Sequence, residues 1–86
     1  MQVDFNAQFV RQYRKLPLKI QKQFDKRLVL FKKDPTVSIL RVHPLKGQMD
    51  GYWSMNVSGD IRAIYQYRGD TIVVFMLIGT HSQLYG

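Results

Sequence analysis

The sequence contains no cysteine. That excludes a disulfide framework and any cysteine-based zinc site, and it fits a reducing compartment, the cytoplasm. Histidine occurs only twice, at His43 and His81. Two imidazoles so far apart are a poor basis for a metal site. No apolar run reaches the roughly 20 residues of a membrane-spanning helix, and the mixed polar start from Gln2 does not resemble a signal peptide. Carboxylates are scarce: 6 Asp and Glu stand against 13 Lys and Arg, a formal charge of +7.

In a chain of 86 residues that excess implies an anionic partner. Nucleic acid is favoured. An acidic protein or an anionic membrane surface is the alternative, and lysine-rich helices can also serve solubility alone. The length suits one small domain, residues 1–86, with a single thin core.

The stretch around which the rest is organised is Thr71 to Ile78. It is apolar at consecutive positions and rich in β-branched residues, which describes a strand covered on both faces. A polar tail follows, Gly79-Thr80-His81-Ser82-Gln83-Leu84-Tyr85-Gly86, and carries one of the two histidines.

From the beginning, Gln2 to Phe5 reads as a short strand, and Asn6 can cap the helix after it. Phe9, Val10, Tyr13 and Leu16 form that helix's apolar stripe. Pro17 suits the start of a second helix, where Ile20, Phe24, Leu28 and Phe31 repeat at amphipathic spacing. Lys19, Lys22, Lys26, Arg27, Lys32 and Lys33 fill its other faces, and Asp34-Pro35 ends it. The two helices should form an antiparallel hairpin. Val37 to Val42 is ambiguous, with Ile39 and Leu40 both able to pack inward. His43 to Gly51 reads as a loop by its Pro and Gly content.

Trp53, Met55 and Val57 alternate with Ser54, Asn56 and Ser58, giving one core face and one polar face. Ser58-Gly59-Asp60 is a turn. A three-residue loop pairs Val57 with Ile61 and Asn56 with Arg62, and avoids setting Met55 against Arg62. Gly69-Asp70 turns into the last strand. The expected fold is α+β, in the order β-α-α-β-β-β: an antiparallel sheet with a helical hairpin on one face and the other face partly open.

Residues able to do chemistry gather on the open face: Asn56, Arg62, His81 and Tyr85, with His43, Lys46 and Asp60 near its rims. RNA can be cut without metal by a base that takes the 2′-hydroxyl proton, donors that stabilise the phosphate, and an acid for the leaving oxygen. Imidazole supplies acid or base, guanidinium a fork for phosphate oxygens, and tyrosine a stacking or hydrogen-bonding group. Each has a plainer reading. His81 can be an ordinary tail residue, Tyr85 an aromatic anchor, Asp60 a turn former and His43 a loop shaper. Arg62 can pair structurally with Asn56, Lys46 can be merely solvated, and Trp53 fits the core.

The element order, the lysine-rich hairpin and three segments together resemble the RelE/ParE superfamily of bacterial type II toxins. The segments are His43-Pro44-Leu45-Lys46-Gly47, Asp60-Ile61-Arg62-Ala63-Ile64-Tyr65 and Ile78-Gly79-Thr80-His81-Ser82-Gln83-Leu84-Tyr85. The ending is most similar to the RelE/StbE and YafQ branches. The resemblance implies an endoribonuclease that cuts mRNA in the ribosomal A site, without metal or other cofactor. It also implies an acidic antitoxin encoded next to the toxin, and no membrane.

By resemblance His81 is the acid or base and Arg62 stabilises the phosphate. Tyr85 is the C-terminal aromatic at the reacting nucleotide, and Asp60 and His43 match acidic and histidine positions of YafQ-like members. Lys46, Asn56, Lys19, Lys22 and Lys26 are the candidate RNA contacts. Where YafQ-like members carry a second strand histidine this chain has Asn56, which cannot titrate, so the base is unassigned. The alternatives are a ParE-like inhibitor of DNA gyrase and an inactive relative that binds antitoxin or nucleic acid.

Overall fold

The computed structural model describes residues 1–85. Strand β1 (Gln2–Phe5) leads into helix α1 (Ala7–Arg14), and α2 (Leu18–Lys33) follows after three residues. A 3-10 turn, Ser38–Leu40, joins α2 to β2 (His43–Pro44). Then come β3 (Trp53–Ser58), β4 (Ile61–Arg68), β5 (Ile72–Thr80) and a short helix, α3 (His81–Tyr85).

The five strands form one sheet in the order β1-β5-β4-β3-β2. The helical hairpin on one face and the β3–β4–β5 meander agree with the expected α+β class, but the sheet is mixed. β1 runs parallel to β5, with Gln2 opposite Ile72 and Phe5 opposite Phe75. A strand that is apolar on both faces needs backbone partners on both sides, and β1 supplies the second one. The segment read as a loop from His43 contributes a short edge strand, pairing His43 with Ser54 and Pro44 with Trp53. Pro44 is tolerated there because an edge residue need not donate to the ladder.

The β3–β4 hairpin pairs Asn56 with Arg62 as expected, but Ser58 rather than Val57 lies opposite Ile61. The irregularity between Asn56 and Ser58 keeps Val57 buried while the turn closes. A second one, in β5, shifts the partner of Tyr65 to Phe75 and that of Ile64 to Leu77, so Met76 has no opposite number. That extra residue lets Phe75 and Ile78 both face the helices.

Helix α1 begins where the Asn6 side chain accepts the Phe9 amide at 2.8 Å. Helix α2 ends at Asp34, whose carboxylate accepts the Thr36 amide at 2.9 Å and hydroxyl at 2.6 Å. Those bonds hold its carboxyl below the usual range. Phe9, Phe24 and Phe31 point from the helices into the sheet and meet Met55, Val57, Ala63, Tyr65, Val73, Phe75 and Ile78. Phe75 is the hub, within 5.8 Å, centroid to centroid, of Phe5, Phe9, Phe24, Phe31 and Tyr65. Leu40 joins this core while Ile39 is half exposed, which resolves the ambiguity of Val37 to Val42. A 3-10 turn eclipses every third side chain, so neighbours 39 and 40 diverge and only one can reach the core.

Candidate active site

Asn56 and Arg62, two of the candidate residues, lie on the face of the sheet away from the helices. Side chains directly opposite one another across strands share a face. Asn56, Arg62 and Gly79 therefore form one row, and His43, Ser54, Ile64 and Leu77 the next. This face is only partly open: Ser54, Ile64, Val74 and Gly79 are buried.

Arg62 is half-buried, and its Nε is shut off from solvent with no hydrogen-bond partner. A buried, unpaired guanidinium nitrogen costs free energy. The stem of the side chain is thus fixed by packing, without a neutralising partner at Nε. Next to it, Asn56 donates from Nδ2 to the Gly59 carbonyl at 3.3 Å, which ties the strand to the hairpin turn.

The polar tail folds as one helical turn. Thr80 is its start: the Thr80 hydroxyl accepts the Gln83 amide at 3.2 Å, while Gln83 Oε1 accepts the Thr80 amide at 2.8 Å. This reciprocal cap is why five polar-rich residues hold a helix. One turn places His81 and Tyr85 on the same side, with ring centroids 4.6 Å apart and planes at 58°. The turn lies close on the sheet at Gly79, where a Cβ would come within 2.8 Å of Gln83 Oε1 and 3.4 Å of Leu84 Cδ2.

Arg62 is opposite Gly79, two residues before His81. The backbone therefore carries His81 to within about 10 Å of Arg62, Cα to Cα, at the end of the sheet where the β3–β4 turn lies. Asn56, Arg62 and Asp60 lie at the β3–β4 turn end of the sheet, and α3, which carries His81 and Tyr85, follows β5 at that same end.

The other candidates lie elsewhere. His43 shares the face but sits on the edge strand, on the order of 15–20 Å from His81 by strand spacing. Its Nδ1 lies 3.0 Å from the Arg41 carbonyl. Lys46 is exposed in the turn beyond β2. Lys19, Lys22 and Lys26 are exposed on α2, with the sheet between them and Arg62. Gln12 is a residue that composition did not single out. Its Oε1 accepts the Ile78 amide at 2.9 Å, just past the point where β1 stops pairing with β5, and so holds the strand that leads into α3. No cluster of three metal-ligating side chains exists among the described residues. None of their helices is long and apolar enough to cross a membrane.

A basic helical hairpin backing a mixed sheet, with a packed arginine beside a histidine–tyrosine turn, defines the class of small toxins built on the RelE/ParE plan. YafQ from E. coli superposes with a TM-score of 0.83 at 22% identity, covering 98% of this chain and 97% of the other. A YoeB/ParE toxin from Agrobacterium tumefaciens superposes at 0.78 and 20%, covering 94% and 99%. At those identities the likeness is one of fold. In sequence, Toxin YoeB from Streptomyces coelicolor is 29% identical over 56 residues, 65% of this chain and 67% of that protein. The description "Bacterial toxin of type II toxin-antitoxin system, YafQ" matches residues 1–86 in full. The chain belongs to the YafQ family of type II toxins.

Proposed function

We propose that this toxin is an endoribonuclease acting on mRNA at the ribosome. The supporting observation is Arg62: a guanidinium held by its buried, unpartnered Nε, one strand from the His81–Tyr85 turn. Its outer N–H groups bind the scissile phosphate and stabilise the charge that develops on it. Water takes the proton of the 2′-hydroxyl, since no side chain is assigned as the base, and the 2′-oxygen attacks the adjacent phosphorus. The bond to the 5′-oxygen breaks and His81 protonates that oxygen, leaving a 2′,3′-cyclic phosphate and a 5′-hydroxyl. Asp60 stabilises the charged imidazole, Tyr85 stacks on the reacting nucleotide, and Asn56 hydrogen-bonds without transferring a proton. His43 and Lys46 contact RNA farther along the face. Lys19, Lys22 and Lys26, on the other side of the sheet, meet ribosomal rather than messenger RNA.

The partner that silences it is an antitoxin, as in the E. coli DinJ-YafQ complex. The YafQ of that complex is 25% identical to this chain, covers 98% of it and superposes at a TM-score of 0.71. A net charge of +7 favours an acidic one.

Inducing the wild type and His81→Ala in cells and mapping mRNA 5′ ends tests the reading. Codon-phased cuts that disappear in the variant are expected. Unchanged mRNA together with inhibited supercoiling would instead identify a gyrase poison, and neither effect an inactive relative.

A further inference from the structure

Two depressions flank the Ser38–Leu40 turn. One, of about 670 Å3, is lined by Arg27, Ser38, Ile39, Arg41, Asn56 and Gly59. The other, of about 410 Å3, runs from Ser38 and Arg41 past Val42 to Trp53 and Tyr67. Arg41 and Ser38 line both, so the two adjoin and are taken together as one trough.

The first compartment is cationic. Arg27 Nη1 donates to the Ile39 carbonyl at 2.8 Å and the Asn56 carbonyl at 3.5 Å. With the Gln23 amide turned to face it, the Gln23 oxygen accepts from Nη2 at 3.2 Å and Nε at 3.3 Å. All these partners are neutral oxygens, so the guanidinium is oriented while its charge is kept. Arg41 is exposed and lies in the left-handed region, φ 47 and ψ 42. A non-glycine residue there is strained. The second compartment is aromatic. Tyr67 is exposed, and its ring meets that of Trp53 edge-on at 5.8 Å and 89°.

We propose that this trough holds single-stranded RNA flanking the cleaved position, with a backbone phosphate between Arg27 and Arg41 and a base against Trp53 and Tyr67. Forked cations beside an exposed tyrosine ring and a partly exposed tryptophan match the alternation of phosphate and base along a strand. An acidic peptide would use the arginines and leave the rings idle. Asn56 makes the trough continuous with the face that carries Arg62: it lines the first compartment and pairs with Arg62 across the hairpin. The inference rests on the ribonuclease reading but is tested by binding rather than cleavage.

Trp53 is the chain's 1 tryptophan, so its emission reports on the trough alone. The probe is a short unstructured oligoribonucleotide added to the His81→Ala protein, followed by anisotropy and by Trp53 fluorescence. Binding should quench Trp53. Arg41→Gly, which suits the left-handed backbone, should weaken binding about tenfold and lower the log–log salt slope by about 0.7. Tyr67→Ala, at an exposed position, should weaken it about tenfold through lost stacking. RNA that binds without changing Trp53 emission, or with full affinity in both variants, overturns the proposal. So does quenching by a poly-glutamate peptide where RNA gives none. The two readings fail separately: a His81→Ala protein that still cleaves removes the ribonuclease mechanism, whereas His81-dependent cleavage with a silent Trp53 removes only the trough.

Discussion

The two faces of the sheet are built on opposite terms. Toward the helices, Phe9, Phe24, Phe31, Tyr65 and Phe75 close into a dry aromatic core. On the far face, Arg62 Nε and Ser54 Oγ are buried without partners, as Tyr65 Oη is on the helix side, and Gly79 leaves room for a helical turn. The helix side carries most of the apolar burial, while the far face holds the arginine that the proposed function needs, an arrangement expected of a functional site on a rigid support.

That contrast can be broken most sharply at the reactive face. His81→Ala or Arg62→Ala should lower single-turnover RNA cleavage by about 10²–10⁴-fold. The thermal midpoint of Arg62→Ala should stay the same or rise, because the substitution removes an orphaned buried donor. An Arg62→Ala protein that melts early would mean the guanidinium is structural. Phe75→Ala is the converse. It should cost about 3–5 kcal/mol in urea unfolding, enough to threaten so small a domain, while whatever stays folded keeps its chemistry.

A middle case joins the faces. Gly79→Ala displaces Gln83 Oε1 from the Thr80 amide and should cost about 1 kcal/mol, with a larger loss of cleavage as His81 moves. Equal losses in a urea titration and a cleavage assay would show that the α3 turn matters only for folding.

The smallest effect concerns pH. The Tyr13 hydroxyl donates to Asp25 at 2.8 Å, and burial followed by that carboxylate pushes its pKa up to about 12. Because the folded value lies above the unfolded value of 10.0, the contribution is complete below pH 10 and lost between pH 10 and 12. Tyr13→Phe should therefore show a shallower decline in urea midpoint across that window, and an identical decline would exclude the tyrosine as a cause.

What could be read from sequence followed local periodicity. The helical stripes, the alternation from Trp53 to Ser58 and the continuous run of β5 each express burial through spacing alone. The Asn56–Arg62 pairing was legible because a mismatched register would bury charge against Met55. The parallel pairing of β1 was not legible, since Gln2 and Ile72 are joined by no turn and share no local signal. Neither was α3, whose helical turn depends on a cap between Thr80 and Gln83 and on the space above Gly79. For the site, residue types drew attention to His81 and Arg62, but only the sheet shows His43 standing apart from them. The role of Gln12 was invisible, because the need for it arises where β1 ends.

The parallel contact between β1 and β5 also bears on how the protein is made. A chain emerging from its N-terminus produces β1 and both amphipathic helices long before Phe75, against which their rings assemble. Until β5 emerges those surfaces have no wall, and the turn bearing His81 does not yet exist. Assembly therefore comes late and all at once, and a message cut short before β5 yields a chain with neither a closed interior nor the terminal imidazole.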